Sequence, residues 1–575
     1  MIWKGINQFP IGSNGRRNAS VCLAGLVMAV PITTAWAKPQ IDSKVDSSVR
    51  QQLLAAQKKG WTSVIVRTGG SLTREQRSRL HNLNADIYRH LDLIESFAVR
   101  IPSRNLQKLA ELPFVHRLST DAIVRKYDEF SNGHSGADVA FDDYGLTGAG
   151  ITVAVIDSGI DNHPDLRDPR TGASRIVGSV NFVPGTTSVA DLNGHGTHVA
   201  GILAGNGTAS TGRSFTRSFY GVARRSNLVN VRVLDALGRT DVSSVVAALQ
   251  WVVKNRDRHN IRVVNMSLGH EVGESYSTDP LCVAVEKAWK SGIVVVVAAG
   301  NDGRNTELPL PLYPDNEGFG TKYGSIGSPA NSPYVITVGA MKSTDGQRQY
   351  DAIATYSSRG PSRLDFILKP DIVAPGNKVV SLRKPLSFLE LTSPLNVVLA
   401  SSYRSNANLL TPSDYFELSG TSMAAPVVAG AAALLLEADP RLSPDTVKAR
   451  LMLTADKWLQ PNGKGDVTAF GAGYLDIPSA LKCRSVATQF ALSPVLQRDA
   501  DGTVFISKQG IWGERAMWGT GQGLESVFGD RVIAPDRSIF GSRAMWGTNE
   551  VWGNRAMWGV DQFRINLGII VLFGE

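Results

Sequence analysis

The chain has 575 residues, enough for several domains, and its 43% hydrophobic and 19% charged content is ordinary for a globular protein that buries a large core. The net charge of +9 is modest for this length. The arginines are scattered without a nucleic-acid motif, so they read as a solvated face and exclude nucleic acid as a partner.

In chain order, Lys4, Arg16 and Arg17 precede the apolar run Val21 to Pro31, and Ala35-Trp36-Ala37 places small residues at the two positions a signal peptidase reads. Residues 1–37 are therefore expected to be a signal peptide and the protein to be secreted (extracellular, periplasmic or at the cell surface). The apolar run is too short for a confident span, and no other stretch approaches about 20 apolar residues, which predicts no stable membrane span. Cys22 lies in the signal. That leaves Cys282 and Cys483, and the sequence does not decide whether they pair.

Residues 38–127 read as a small domain. Thr62 to Arg67 alternates as a strand, Leu72 to Leu83 has helical spacing, Asp86 to Ile101 reads as two strands, Ser103 to Leu112 as a helix, and Val115 to Val124 as a strand. That β-α-β-β-α-β order predicts a ferredoxin-like α+β fold.

From 128 to 482, strands rich in Val and Ile alternate with helical segments. This predicts an α/β domain with a doubly wound, mostly parallel sheet and a site at the carboxyl ends of its strands. Three segments inside it carry chemistry: Val155-Ile156-Asp157-Ser158-Gly159-Ile160-Asp161, Asn193-Gly194-His195-Gly196-Thr197-His198 and Gly420-Thr421-Ser422-Met423-Ala424-Ala425-Pro426. Acyl transfer by a serine needs a base to take the hydroxyl proton and a carboxylate to hold the base's tautomer. Asp157, His195 and Ser422 supply those types. Asp157 ends an apolar strand, whereas His195 and Ser422 each open an apolar, small-residue helix whose free N–H groups suit developing negative charge. Spacing alone leaves His195 and His198 equally eligible as the base. Val294 to Asn301 reads as a buried strand running into a tight turn that exposes an amide side chain, and Val263 to Gly269 as another apolar strand ending in small residues.

After Cys483 the composition changes. Ile511-Trp512-Gly513-Glu514-Arg515-Ala516-Met517-Trp518-Gly519 recurs from Ile539 to Gly547 and from Val551 to Gly559, which makes 483–575 an extension with Trp-Gly repeats.

In the three catalytic segments the chain resembles the subtilases, the subtilisin-like serine proteases, whose order is also Asp, His, Ser. The resemblance implies a serine endopeptidase acting on protein or peptide substrates through an acyl-enzyme, with Asp157, His195 and Ser422 as its triad and no cofactor for catalysis. It selects His195 over His198, makes Asn301 the side-chain donor of the oxyanion hole, and gives Ser267, Leu268 and Gly269 to an extended substrate. Ile326-Gly327-Ser328-Pro329 falls at the floor of the primary pocket, where Gly327 leaves room for a large aromatic or aliphatic side chain. The small domain resembles the subtilase propeptide, an inhibitor and folding assistant that the enzyme carries as its own first partner. Its tail, Ile123 to Tyr127, would then lie through the active site and be cut after Tyr127. In many subtilases a loop binds structural calcium with an acid matching Asp165. Here Gly205 to Tyr220 is longer than expected and carries Arg213 and Arg217 without a carboxylate, which puts a metal at Asp165 in doubt. Leu308 to Gly324 and Asn377 to Leu418 read as insertions near the cleft. The alternative to an enzyme is a catalytically silent subtilase scaffold that binds surfaces through its C-terminal repeats.

Overall fold

A computed structural model describes residues 44–45, 53, 60–91, 96–120, 130–304, 320–343, 347–408, 410–458, 466–498, 504–507 and 564–566. The expected signal peptide, the segment Ile123 to Tyr127, residues 308–319 and the Trp-Gly repeats lie outside the described residues. The chain divides into two compact units, Met1–Val124 and Arg125–Glu575.

The first unit has the order β1 (Trp61–Arg67), α1 (Arg74–Asn82), β2 (Asp86–Leu91), β3 (Ser96–Pro102), α2 (Leu106–Ala110) and β4 (Arg117–Thr120). Its four strands form one antiparallel sheet in the order β2-β3-β1-β4. Val64, Val66, Val99 and Ile101 point from the sheet into a core shared with Leu80 of α1 and Leu106 and Leu109 of α2. The first helix begins at Arg74 because Thr73 caps it: the Thr73 hydroxyl accepts from Gln76 N–H while Gln76 Oε1 accepts from Thr73 N–H.

The second unit is built on β5 (Thr152–Asp157), β6 (Ile176–Asn181), α3 (His195–Ala204), β7 (Asn227–Arg232), a short β8 (Arg239–Asp241), α4 (Val242–Lys254), β9 (Ile261–Met266), α5 (Pro280–Lys290), β10 (Val294–Ala298), β11 (Ile336–Lys342), β12 (Ala352–Ile353) and β13 (Ile372–Pro375). The sheet runs β12-β11-β10-β9-β5-β7-β6 with β13 also beside β11, and only the β11–β12 pairing is antiparallel. Every residue of β5 and β10 is buried. That is what β-branched runs such as Val294–Val297 produce when helices cover both faces. A hairpin of β14 (Val379–Leu382) and β15 (Tyr415–Leu418) then delivers the chain to α6 (Thr421–Ala438). This helix is apolar on all sides and buried along nearly its whole length, as such a pattern requires. By length and composition it could cross a membrane, but 89% of it is packed inside the protein.

Candidate active site

Three parallel strands end at one place. β5 ends on Asp157, β9 leads into Ser267-Leu268-Gly269, and β10 leads through Ala299 and Gly300 to Asn301. The carboxyl edge of a parallel sheet is where side chains from separate strands converge. His195 opens α3 and Ser422 is the second residue of α6, so both side chains sit on first turns whose N–H groups lack helical partners.

His195 Nδ1 lies 2.8 Å from Asp157 Oδ1, which also accepts from Ser158 N–H at 2.7 Å. Both residues are fully buried. A carboxylate on Nδ1 selects the tautomer that carries its proton there and leaves Nε2 as the acceptor, and among the described residues Nε2 has no partner. The close approach of α3 to β5 depends on Gly196: a Cβ there would lie 2.1 Å from the Gly159 carbonyl. His198, three residues on, is engaged by other partners. Its Nε2 lies 3.1 and 2.9 Å from the carbonyls of Val379 and Phe416, and burial together with His195 drives it down to about 3. A neutral imidazole committed to two carbonyls is a structural pin, so the geometry separates two histidines that spacing could not.

Ser422 is tied by two bonds to Ser267, just past the end of β9. Its hydroxyl donates to the Ser267 carbonyl at 3.2 Å, and its own carbonyl accepts from the Ser267 hydroxyl at 2.9 Å. The second bond answers a local defect: four residues on is Pro426, inside the helix and without an N–H for that carbonyl. Asn265 Nδ2 donates to the same Ser267 hydroxyl at 3.0 Å and fixes its direction. Asn301 Oδ1 accepts from the N–H and the hydroxyl of Thr421, at 2.9 and 3.0 Å. Its oxygen being so held, the amide presents Nδ2 beside Gly420, where a Cβ would stand 3.2 Å from it. The structure also joins the pocket segments: His270 and Ser328 exchange backbone hydrogen bonds, and Gly327 N–H donates to Ala299 O. These bonds bring the segment Ser267-Leu268-Gly269 and Gly327 together with Ser422 and the strand end that leads to Asn301.

Sequence reasoning missed Asp191. This fully buried carboxylate accepts from Ser158 Oγ (2.9 Å), Asn193 N (3.1 Å), Gly194 N (2.7 Å), Thr197 N (2.9 Å) and Thr197 Oγ1 (2.7 Å). It clasps the whole turn that presents His195 and binds it to the residue after Asp157. The available signal was slight, an acid four residues before a helix-opening histidine and outside the cap position, which Gly194 holds. The insertion from Asn377 adds a second clasp: Phe388 and Leu389 donate their N–H groups to the carbonyls of Leu192 and Asn193, both at 3.0 Å.

Asp165 lies away from the triad and is fully buried. Its Oδ1 accepts from Ala209 N–H at 2.6 Å and its Oδ2 from the Tyr415 hydroxyl at 2.8 Å, and burial raises its carboxyl to about 6. Cys282 and Cys483 are both free thiols. Burial pushes the Cys282 thiol up, and it donates to Asn331 Oδ1 at 3.1 Å.

A sequence profile of the Subtilase family matches residues 148–473. Serine protease AprX of Bacillus subtilis (strain 168) is 38% identical over 342 residues, 58% of this chain and 67% of that protein. Subtilisin DY of Bacillus licheniformis is 35% identical over 337 residues, 58% of this chain and 92% of that protein. A solved cold adapted subtilisin-like serine proteinase is 29% identical and covers 58% of this chain and 90% of its own, with a TM-score of 0.39.

Proposed function

This chain belongs to the subtilase family of serine endopeptidases, and from that premise we propose that it is an exported, self-processing protease whose triad is Asp157, His195 and Ser422. The observation that carries the assignment is the buried His195–Asp157 pair, which leaves Nε2 as an unpartnered acceptor. Substrate enters extended along Ser267-Leu268-Gly269, with its principal side chain toward Gly327. The Ser422 hydroxyl turns from the Ser267 carbonyl to His195 Nε2, gives up its proton and attacks the scissile carbonyl. Asp157 holds the imidazolium that forms. Asn301 Nδ2 and Ser422 N–H receive the oxyanion, on which they act most strongly in the transition state. His195 then protonates the leaving amine, and a water activated by the same nitrogen releases the acyl-enzyme.

The β-α-β-β-α-β unit is read as a ferredoxin-like inhibitor propeptide, supported by its element order and its place before the catalytic unit. Residues 1–37 are read as the export signal, protein or peptide as the substrate, and neither nucleic acid nor a stable membrane span as part of the function. Labelling of purified protein by a fluorophosphonate probe tests the reading. We expect labelling and peptide hydrolysis to vanish in Ser422→Ala and that variant to stay at full length. A wild-type protein that takes no label would instead be the silent scaffold.

A further inference from the structure

Away from the triad, three main-chain carbonyls converge on one buried guanidinium. Arg175 Nη1 donates to Ser226 O at 2.7 Å, and Nη2 to Asp165 O at 2.6 Å and Ala204 O at 2.5 Å. Convergent carbonyls beside a buried carboxylate are the oxygen chemistry of a calcium site, and this is the place where the resemblance puts one. Here the positive charge is built in, and we propose that Arg175 is the permanent cation of this site, so that the helix carrying His195 is fastened without calcium.

The donor set leaves little for an ion. Calcium takes about six to eight oxygens, whereas both oxygens of Asp165 are engaged by Ala209 and Tyr415 and its carbonyl by Arg175. Burial pulls Arg175 down only to about 10, so it stays charged at neutral pH and would repel a divalent ion at its side. Ala204 is the last residue of α3, and a cation on a terminal carbonyl opposes the negative end of that helix.

The two stretches that depart from the family pattern close the site together. Gly205 to Tyr220 supplies Ala209 and also Ser210, whose hydroxyl lies 2.8 Å from Tyr415 Oη. The Asn377 to Leu418 insertion supplies Tyr415. The stretches pair through Thr216 N to Tyr403 O and Ser405 N to Ser214 O, both at 2.8 Å. Phe219 packs 4.5 Å from Tyr415 and 5.6 Å from Tyr403, centroid to centroid. An aromatic cluster of Phe219, Tyr403 and Tyr415 fills the space beside Asp165.

The test is the thermal unfolding midpoint of the full-length protein carrying Ser422→Ala, so that self-digestion does not intervene, with and without a second substitution, Asp165→Asn. Each is measured in excess chelator and in excess calcium. Ions bound elsewhere shift both proteins equally, so the difference between their calcium responses reports this site alone. We expect the two responses to agree within about 1 °C. A site filled at about 100 times its Kd would shift the midpoint by several degrees, so a response larger by about 3 °C or more with Asp165 intact overturns the proposal. Arg175→Met keeps an unbranched apolar stem but removes the guanidinium, and with it the charge and the donors to the three carbonyls. We expect it to lower the midpoint by several degrees in chelator, and an unchanged midpoint would equally refute the assignment. Should that variant fail to fold, the Asp165 comparison still decides.

Discussion

Replacing Asp191 by alanine removes the acceptor for three main-chain N–H groups, those of Asn193, Gly194 and Thr197, and for two hydroxyls. The hydroxyls of Ser158 and Thr197 can rotate to other acceptors, but the three N–H groups belong to buried residues and are fixed by the backbone. At about 1–3 kcal/mol for each unsatisfied group, the gross loss is about 3–9 kcal/mol. Against this stands the cost of the buried charge itself, since burial pushes the Asp191 carboxyl up despite its five donors. A net loss of about 3–5 kcal/mol follows, the usual size when one side of a buried charged cluster is removed. Urea unfolding in the Ser422→Ala background measures it. In otherwise wild-type protein, kcat should fall more than KM changes, because Gly194 and Thr197 flank the base and not the substrate strand. A loss below about 1 kcal/mol with an unchanged denaturant slope would show that the turn holds itself and that the clasp argument is wrong.

Asn301→Ala should lower kcat by about 100- to 1,000-fold, the loss known for the matching donor in subtilisin, with KM nearly unchanged; an equal loss in affinity for a substrate-like inhibitor would make Asn301 a packing residue. Burial pushes the Asp165 carboxyl up to about 6, well above the usual carboxylate range, so the stability it contributes is complete below about 4 and is lost as pH rises to 6, about 3 kcal/mol in all. The stability of Asp165→Asn relative to the parent should therefore improve by about that amount between pH 4 and 7, and a flat difference across that range contradicts the shift. Self-processing should leave a mature chain beginning at Asp128, found by N-terminal sequencing of purified protein and absent in Ser422→Ala. A start beside Arg125-Lys126 would point to cleavage at basic residues instead.

The strands and the candidate triad were legible because each depends on a short local signal. Val294–Val297 can hardly be anything but a buried strand, and Asp157, His195 and Ser422 stand in short motifs at element ends. What escaped is non-local. Asp191 looks like a loop residue until the fold wraps five donors around it. His198 and His195 share one short motif in sequence and separate only when Val379 and Phe416 arrive from 181 and 218 residues away. The metal at Asp165 was doubted for lack of ligands in its loop, yet the residue that occupies the carbonyls, Arg175, gives no sign of it in sequence. Tyr403 and Tyr415 likewise read as parts of an insertion and not as a wedge between two of them.

The bond from the Ser267 hydroxyl to the Ser422 carbonyl joins two positions that no sequence motif links. Pro426 opens a gap in the hydrogen-bond ladder of one element, and a side chain from a different element fills it. Neither position is then free to change alone. Loss of the hydroxyl at 267 strands the Ser422 carbonyl only while a proline stands at 426, and it costs Asn265 Nδ2 its acceptor in either case. Substitutions at these two sites should therefore be non-additive, because the residue at 426 sets how much of the Ser267 hydroxyl's contribution the helix needs.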